Sequence, residues 1–218
     1  MNCSLLVSVI IPVYNARPHI GRAIDAVMNS AYRPCELIVV DDASTDGSAE
    51  VARTCGATVI AMEHQSGPAA ARNRGAGMAK GDILLFVDSD VLIETDTVAR
   101  IVEDFSKHDI AAVFGSYDDE PEAKNFLSQY KNLCHHFVHQ QSCTEAATFW
   151  AGCGAIRRDV FDTADGFDEQ RYSKPSIEDI ELGYRIKRLG FRILLDKELQ
   201  VKHLKKWNFR NLMRADIF

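Results

Sequence analysis

Four short apolar runs in the first ninety residues constrain this chain more than any other feature. They span residues 7–13, 36–40, 58–62 and 83–87. Each has strand length, is rich in Val, Ile or Leu, and is bounded by turn or helix signals. Between them lie helix-length stretches at 18–30, 48–55 and 68–79. The first carries Ile20, Ile24, Ala26 and Val27 at near-helical spacing, and the other two are alanine-rich. Parallel strands need long crossovers, and the helix is the usual one. The β-α-β-α-β-α-β order therefore predicts an α/β fold with a doubly wound, mostly parallel central sheet flanked by helices. At 218 residues, one such domain is the expectation.

Sheets of this kind bind ligands at the carboxyl ends of their strands. Those positions are polar here. Pro12-Val13-Tyr14-Asn15 follows the first run, Asp41-Asp42-Ala43-Ser44-Thr45-Asp46-Gly47 the second, and Asp88-Ser89-Asp90 the fourth. Gathered carboxylates repel one another unless a cation or hydrogen-bond donors compensate. Asp46, with Ser44 or Thr45, also fits the opening of the next helix. Asp88 and Asp90 sit directly behind a buried strand. Their oxygen ligands suit a hard cation, Mg²⁺ or Mn²⁺, completed by waters and substrate phosphates.

In order and spacing, six segments resemble the inverting, nucleotide-sugar-dependent glycosyltransferases of family 2, which have the GT-A (Rossmann-like) fold. The segments are 8–15, 39–47, Ala71-Arg72-Asn73-Arg74-Gly75, 86–90, Trp150-Ala151-Gly152-Cys153-Gly154 with its continuation to Arg158, and Glu178-Asp179-Ile180-Glu181-Leu182-Gly183-Tyr184-Arg185. The resemblance covers roughly residues 5–205. It implies that Pro12, Tyr14 and Asn15 line the nucleotide pocket and that Asp42 accepts from the base, uracil N3–H. Arg72 contacts the nucleotide with help from Arg74, and Asp41 and Ser89 belong to the same donor-binding set. Asp90 is the metal ligand, and Asp88 a second ligand or a ribose contact. His203 is a third metal ligand or a diphosphate contact. Asp179 is the general base, and Glu178 orients the acceptor or a nearby loop. The implied division is a donor half at 1–110, an acceptor half at 111–204 and a basic terminal helix at 205–218.

Several residues carry a structural reading beside the functional one. Ser176-Ile177-Glu178-Asp179 fits a helix-capping arrangement. Trp150 and Gly152 suit a sugar face on an aromatic or close backbone approach, or an ordinary core tryptophan. A lone histidine such as His203 is often structural. His135, His139 and Cys143 would share one helical face as zinc-type ligands, but at intervals that fit no standard zinc pattern. The 75–81 glycine stretch departs from a dinucleotide fingerprint, and Gly81 reads as a helix stop.

The net charge of −6 excludes a nucleic-acid binder working by bulk positive charge. No apolar run approaches the ~20 residues of a membrane span. The opening run lacks the flanks of a signal peptide and reads as a buried strand. Six cysteines without a CxxC pair read as free thiols in a reducing compartment. Residues 202–218 hold five Lys/Arg and one acid, with Phe209, Leu212, Met213 and Ile217 on one helical face beside Trp207. That pattern suits an anionic membrane surface or a helix packed on the domain. The resemblance implies a nucleotide diphosphate-sugar (UDP-sugar) donor and a glycan or lipid-linked acceptor, and the basic segment adds an expected contact with the inner, cytoplasmic face of a membrane. The chain reads as the catalytic portion of a longer protein. The competing classes are a nucleotidyltransferase, which would need a glycine- and basic-rich loop after the first strand, and a non-catalytic nucleotide-sugar or zinc-binding module.

Overall fold

A computed structural model describes residues 5–209. Strand β1 (Val7–Val13) is wholly inaccessible at Val7, Val9, Ile10 and Ile11. Burial on both faces explains its continuous apolar run. Helix α1 (Arg17–Met28), β2 (Cys35–Asp41), α2 (Ser48–Thr54), β3 (Thr58–Ala61), α3 (Pro68–Met78) and β4 (Ile83–Val87) follow in the expected order. The four strands pair in parallel in the spatial order β3-β2-β1-β4.

The second half adds β5 (Val91–Leu92), α4 (Thr97–Lys107), β6 (Ala112–Tyr117), α5 (Phe126–Gln141), β7 (Glu145–Ala146), β8 (Cys153–Arg157), α6 (Arg158–Thr163), α7 (Glu178–Arg188) and β9 (Ile193–His203). The sheet continues through β4-β8-β6-β9-β5, with β7 on β9. Strand β8 runs antiparallel to both β4 and β6, and β5 and β7 run antiparallel to β9. Only β6 and β9 are parallel here. The fold is thus a mixed α/β single domain, wholly parallel only across its first half. The reversal of β8 matters for function: it sets Cys153 beside Val87, so the segment leading into β8 arrives at the carboxyl ends of the parallel strands.

Two apolar layers cover the sheet. Val9, Ile11 and Val13 pack with Ile20 and Ile24 of α1; Ile10 and Phe86 pack with Ala71 and Ala76 of α3 on the other face. Each fully buried side chain of this size stabilises by roughly 1.5–3 kcal/mol. Helix α3 is alanine-rich because it lies close to the strands. A Cβ on Gly75 would come within 2.5 Å of Ile10 Cγ2. The expected role of Gly81 is corrected. The helix ends at Met78 with Ala79 extended, whereas Gly81 is small because a Cβ there would stand 2.7 Å from the Leu6 carbonyl oxygen.

Among the described residues no helix is long and apolar enough to cross a membrane. Most of the expected basic helix at 205–218 lies outside them. Residues 204–208 are non-helical and pack on α5: Trp207 N donates to Ser128 Oγ and Asn125 Nδ2 donates to the Trp207 carbonyl, both at 2.8 Å.

Candidate active site

The loops after β1, β2 and β4 meet at one edge of the sheet. Asn15 takes a left-handed φ of 49° and its Oδ1 accepts from Thr45 N at 2.9 Å, while its own N donates to Ser44 Oγ at 3.0 Å. These bonds lock the first two loops together. Asp46 completes the lock by accepting from Arg17 N and Ser48 N, each at 3.0 Å. Its helix-opening role therefore serves two helices. Burial works to raise its pKa, but these donors together hold it below the ordinary value. Beside them Tyr14 is exposed and Pro12 half-buried at the end of β1.

Asp41 and Asp42 are both buried but differ sharply in their bonding. Asp42 accepts from Ser66 N at 2.7 Å and Gly67 N at 2.8 Å, one bond to each oxygen. It holds the loop that leads into α3. Asp41 Oδ1 is buried without a hydrogen-bond partner.

Asp88-Ser89-Asp90 forms a tight turn, closed by Val91 N donating to the Asp88 carbonyl at 3.0 Å. The turn sends its two carboxylates to different partners. Asp88 Oδ1 accepts from Arg72 at 2.8 Å. Asp90 Oδ2 lies 3.5 Å from His203 Nε2. Burial acts to raise the Asp90 pKa, but His203 and Lys205 outweigh it and hold it low. For Asp88 burial wins over Arg72, and the pKa is raised. Ser89 is half-buried at the turn's apex.

Arg72 is buried among carboxylates. Besides Asp88 it donates to Glu178 Oε1 at 2.8 Å, and its guanidinium lies 5.4 Å from the Phe167 ring centroid. Glu178 spends its other oxygen on Ser176 N at 2.9 Å. The expected cap at the start of α7 is thus inverted: Ser176 supplies no side-chain oxygen, and Glu178 reaches back to its backbone. Arg72 and Glu178 form a buried strut between α3 and α7. Neighbouring Asn73 pins the 167–169 loop through Phe167 N and the Phe167 carbonyl. Arg74 is exposed and lines a cavity of 620 Å³ with Ser66, Asn73 and Ser173, to one side of the carboxylates.

Asp179, in the first turn of α7, is held by two backbone donors: Ala151 N to Oδ2 at 3.0 Å and Ile180 N to Oδ1 at 2.8 Å. Burial raises its pKa, opposed by the Ala151 bond and by Arg72, and reinforced by Glu178. The Ala151 bond ties Asp179 to the segment entering β8. There Trp150 is half-buried and lies so close over Gly152 that a Cβ would come within 2.2 Å of its ring.

One residue at the site was not legible from the motifs. Tyr117, at the end of β6, stacks on His203, meets Trp150 edge-on at 5.0 Å and tilts against His135 at 4.4 Å. Burial and the nearby Asp90, Asp88 and Asp179 charges push its phenol pKa well up. Its place at the carboxyl end of a strand was the available signal. The zinc reading of α5 does not survive. The helix ends at Gln141, so Cys143 leaves the shared face, and His139 Nδ1 is taken by the Gly115 carbonyl at 3.1 Å. Among the described residues no group of three or more His, Cys, Asp or Glu is placed to hold a metal ion.

This mixed sheet, with its polar loops at one edge, is the GT-A architecture of nucleotide-sugar enzymes. The solved mannosyltransferase PcManGT from Pyrobaculum calidifontis, in complex with GDP-Man and Mn²⁺, matches with TM-score 0.75 at 24% identity, over 95% of this chain and 59% of that one. GalNAc-T7 with UDP, GalNAc and Mn²⁺ matches with TM-score 0.76 at 19% identity, over 95% and 45%. The model of glycosyl transferase family 2 matches residues 8–164, and the chain belongs to that family. Glycosyltransferase GlyG from Streptococcus pneumoniae is 29% identical over 150 residues, 65% of this chain and 47% of that protein. The chain thus spans about half the length of that curated relative.

Proposed function

We propose that this chain transfers a sugar from a nucleotide diphosphate-sugar, UDP-sugar by preference, to an acceptor hydroxyl with inversion, using Asp179 as general base. The observation that carries this is the Asp179 carboxylate, mounted rigidly on Ala151 N and Ile180 N beside the turn that holds Asp88 and Asp90. A rigid carboxylate with a raised pKa suits proton removal from an attacking hydroxyl.

The donor lies across the strand ends, between Pro12, Tyr14 and Asn15 and the turn at Asp88, Ser89 and Asp90. We read Asp41, whose buried Oδ1 has no partner, as the acceptor for the base N–H beside Asp42, whose oxygens serve the Ser66–Gly67 loop. Arg72 and Glu178 act as a strut that fixes Asp88 and α7; Arg74 is the exposed cation for the donor side. Trp150 and Gly152 face the acceptor. The two halves of the fold, 1–110 and 111–204, take donor and acceptor in turn.

Asp90 and His203 fit two ligand positions of a divalent ion, Mg²⁺ or Mn²⁺, with Asp88 behind them. Such an ion, when bound, neutralises charge developing on the departing diphosphate. The acceptor is a glycan or lipid-linked hydroxyl at a membrane's cytoplasmic face, which the basic 202–218 segment suits.

The test is a panel of nucleotide sugars, with the anomeric configuration of the product read by NMR. Transfer with inversion is expected. Asp179→Asn should lower kcat by at least about a hundredfold while UDP binding is kept. Near-full transfer by that variant would remove Asp179 as the base.

A further inference from the structure

Strand β6 ends on a tyrosine that belongs to none of the motifs. Phe114 faces Leu195 of β9 but Ser116 faces Gln200, so the two strands change register between these positions. Irregularities of this kind re-aim side chains beside active sites. Gly115 sits at the change, where a Cβ would collide with the Leu199 carbonyl. Beyond it Tyr117 pairs with Val201, and Asp118 N donates to the Val201 carbonyl at 2.9 Å. The Lys202 ammonium closes the two strand ends on Asp118 Oδ2 at 2.7 Å. The backbone that carries Tyr117 is therefore held on both sides.

Three rings box the phenol. His203 stacks on it, Trp150 meets it edge-on at 5.0 Å, and His135 tilts against it at 4.4 Å. The charges of Asp90, Asp88 and Asp179 all act on it. In the reading proposed above, His203 and Asp90 belong to the diphosphate side of the site, and Trp150 and Asp179 to the acceptor side. Tyr117 stands between the two.

The rings account for the ring of Tyr117 but not for its hydroxyl. The hydrogen bonds that reach this residue end on its backbone carbonyl, from Ser116 Oγ at 2.9 Å and His136 Nδ1 at 2.7 Å. Among the described residues no group bonds the phenol oxygen. A tyrosine packed among other rings ordinarily finds a partner for its O–H.

We infer that the Tyr117 hydroxyl hydrogen-bonds a hydroxyl of the transferred sugar and positions that sugar between diphosphate and acceptor. This rests on the donor reading proposed above and adds the contact that recognises the sugar. In-line displacement places the anomeric carbon between the leaving diphosphate and the attacking hydroxyl, and Tyr117 borders both sides of that place. A phenol hydroxyl both donates and accepts, as a sugar hydroxyl does. A nucleotide diphosphate without its sugar leaves this contact unmade.

The test is calorimetry of the parent and Tyr117→Phe with UDP, UDP-glucose, UDP-N-acetylglucosamine, GDP and GDP-mannose, each with Mn²⁺. Transfer kinetics follow with the nucleotide sugar that binds. The substitution deletes one oxygen and keeps the ring on His203, so the melting temperature and the affinity for the bare nucleotide diphosphate should match the parent. Affinity for the nucleotide sugar should fall about tenfold, the equivalent of one hydrogen bond, and kcat/KM for that donor by at least as much. Parental values of both would overturn the inference. So would an equal loss of affinity for the bare diphosphate, which would move the contact off the sugar, or a change confined to the acceptor KM. A parent that binds none of the three nucleotide sugars would remove the donor reading and this contact with it. A parent that binds one without transferring it removes only the catalytic reading, and the tenfold binding loss in Tyr117→Phe still supports the contact.

Discussion

The phenol ring of Tyr117 lies flat on the imidazole of His203, with centroids 4.3 Å apart and planes 6° from parallel. The stack fixes the plane in which His203 Nε2 faces Asp90. Groups that orient a metal ligand typically change affinity 10–100-fold when lost. Tyr117→Ala should therefore weaken Mn²⁺ binding in the presence of UDP about tenfold, read as free Mn²⁺ by electron paramagnetic resonance. Tyr117→Phe keeps the ring and should keep the affinity. A folded Tyr117→Ala protein with parental Mn²⁺ affinity would show that the stack does not position His203.

The two neighbouring aspartates at the end of β2 should separate cleanly. Asp42→Ala leaves Ser66 N and Gly67 N without their acceptor, and buried orphaned donors cost about 1–3 kcal/mol each. It should lower the melting temperature. Asp41→Ala removes a carboxylate whose Oδ1 has no partner. It should leave the fold intact and weaken UDP about tenfold, the equivalent of one hydrogen bond. Calorimetry of binding and thermal melts distinguish the pair; equal effects of both variants on UDP affinity would return the base contact to Asp42.

Arg72→Met should be among the most damaging single changes. It would leave Glu178 and Asp88 facing each other without their shared cation. Breaking a buried pair by removing one partner costs about 3–5 kcal/mol. Chemical denaturation should show that loss, and Arg72→Met/Glu178→Gln should recover part of it. If Arg72 instead served the nucleotide, the single variant would keep its stability and lose only UDP affinity.

The parallel half of the fold was legible because each strand there is a complete apolar run with its crossover beside it in sequence. The β8 reversal was not, since a five-residue strand gives no sign of its neighbours' direction. The site divides the same way. Asp90, His203 and Asp179 stood out by type and position; Asp90 lies 3.5 Å from His203, and Asp90 and Asp179 both lie near Tyr117. Arg72 was legible as a site residue, but its ion pair with Glu178, 106 residues away, was not. Asp41 and Asp42 are adjacent and chemically identical, so only the path of the 64–67 loop tells them apart. Tyr117 belongs to no motif, and its importance comes from the rings packed around it.

Asp179 makes a prediction about pH whose sign follows from its surroundings. Burial raises its pKa, with Glu178 adding to the rise. A general base works only when deprotonated, so kcat/KM should climb with pH on an acid limb above the ordinary aspartate value of about 3.9. Stability runs the other way for this group. A folded-state pKa above the unfolded one favours the fold when the carboxyl is protonated, so activity falls at low pH without Asp179 itself loosening the structure. Glu178→Gln should move the limb to lower pH. It deletes the neighbouring negative charge and leaves more of the Arg72 cation to act on Asp179. The measurement is the kcat/KM profile of both proteins with a single donor. A limb that stays in place in a stably folded Glu178→Gln enzyme would assign the titration to another group.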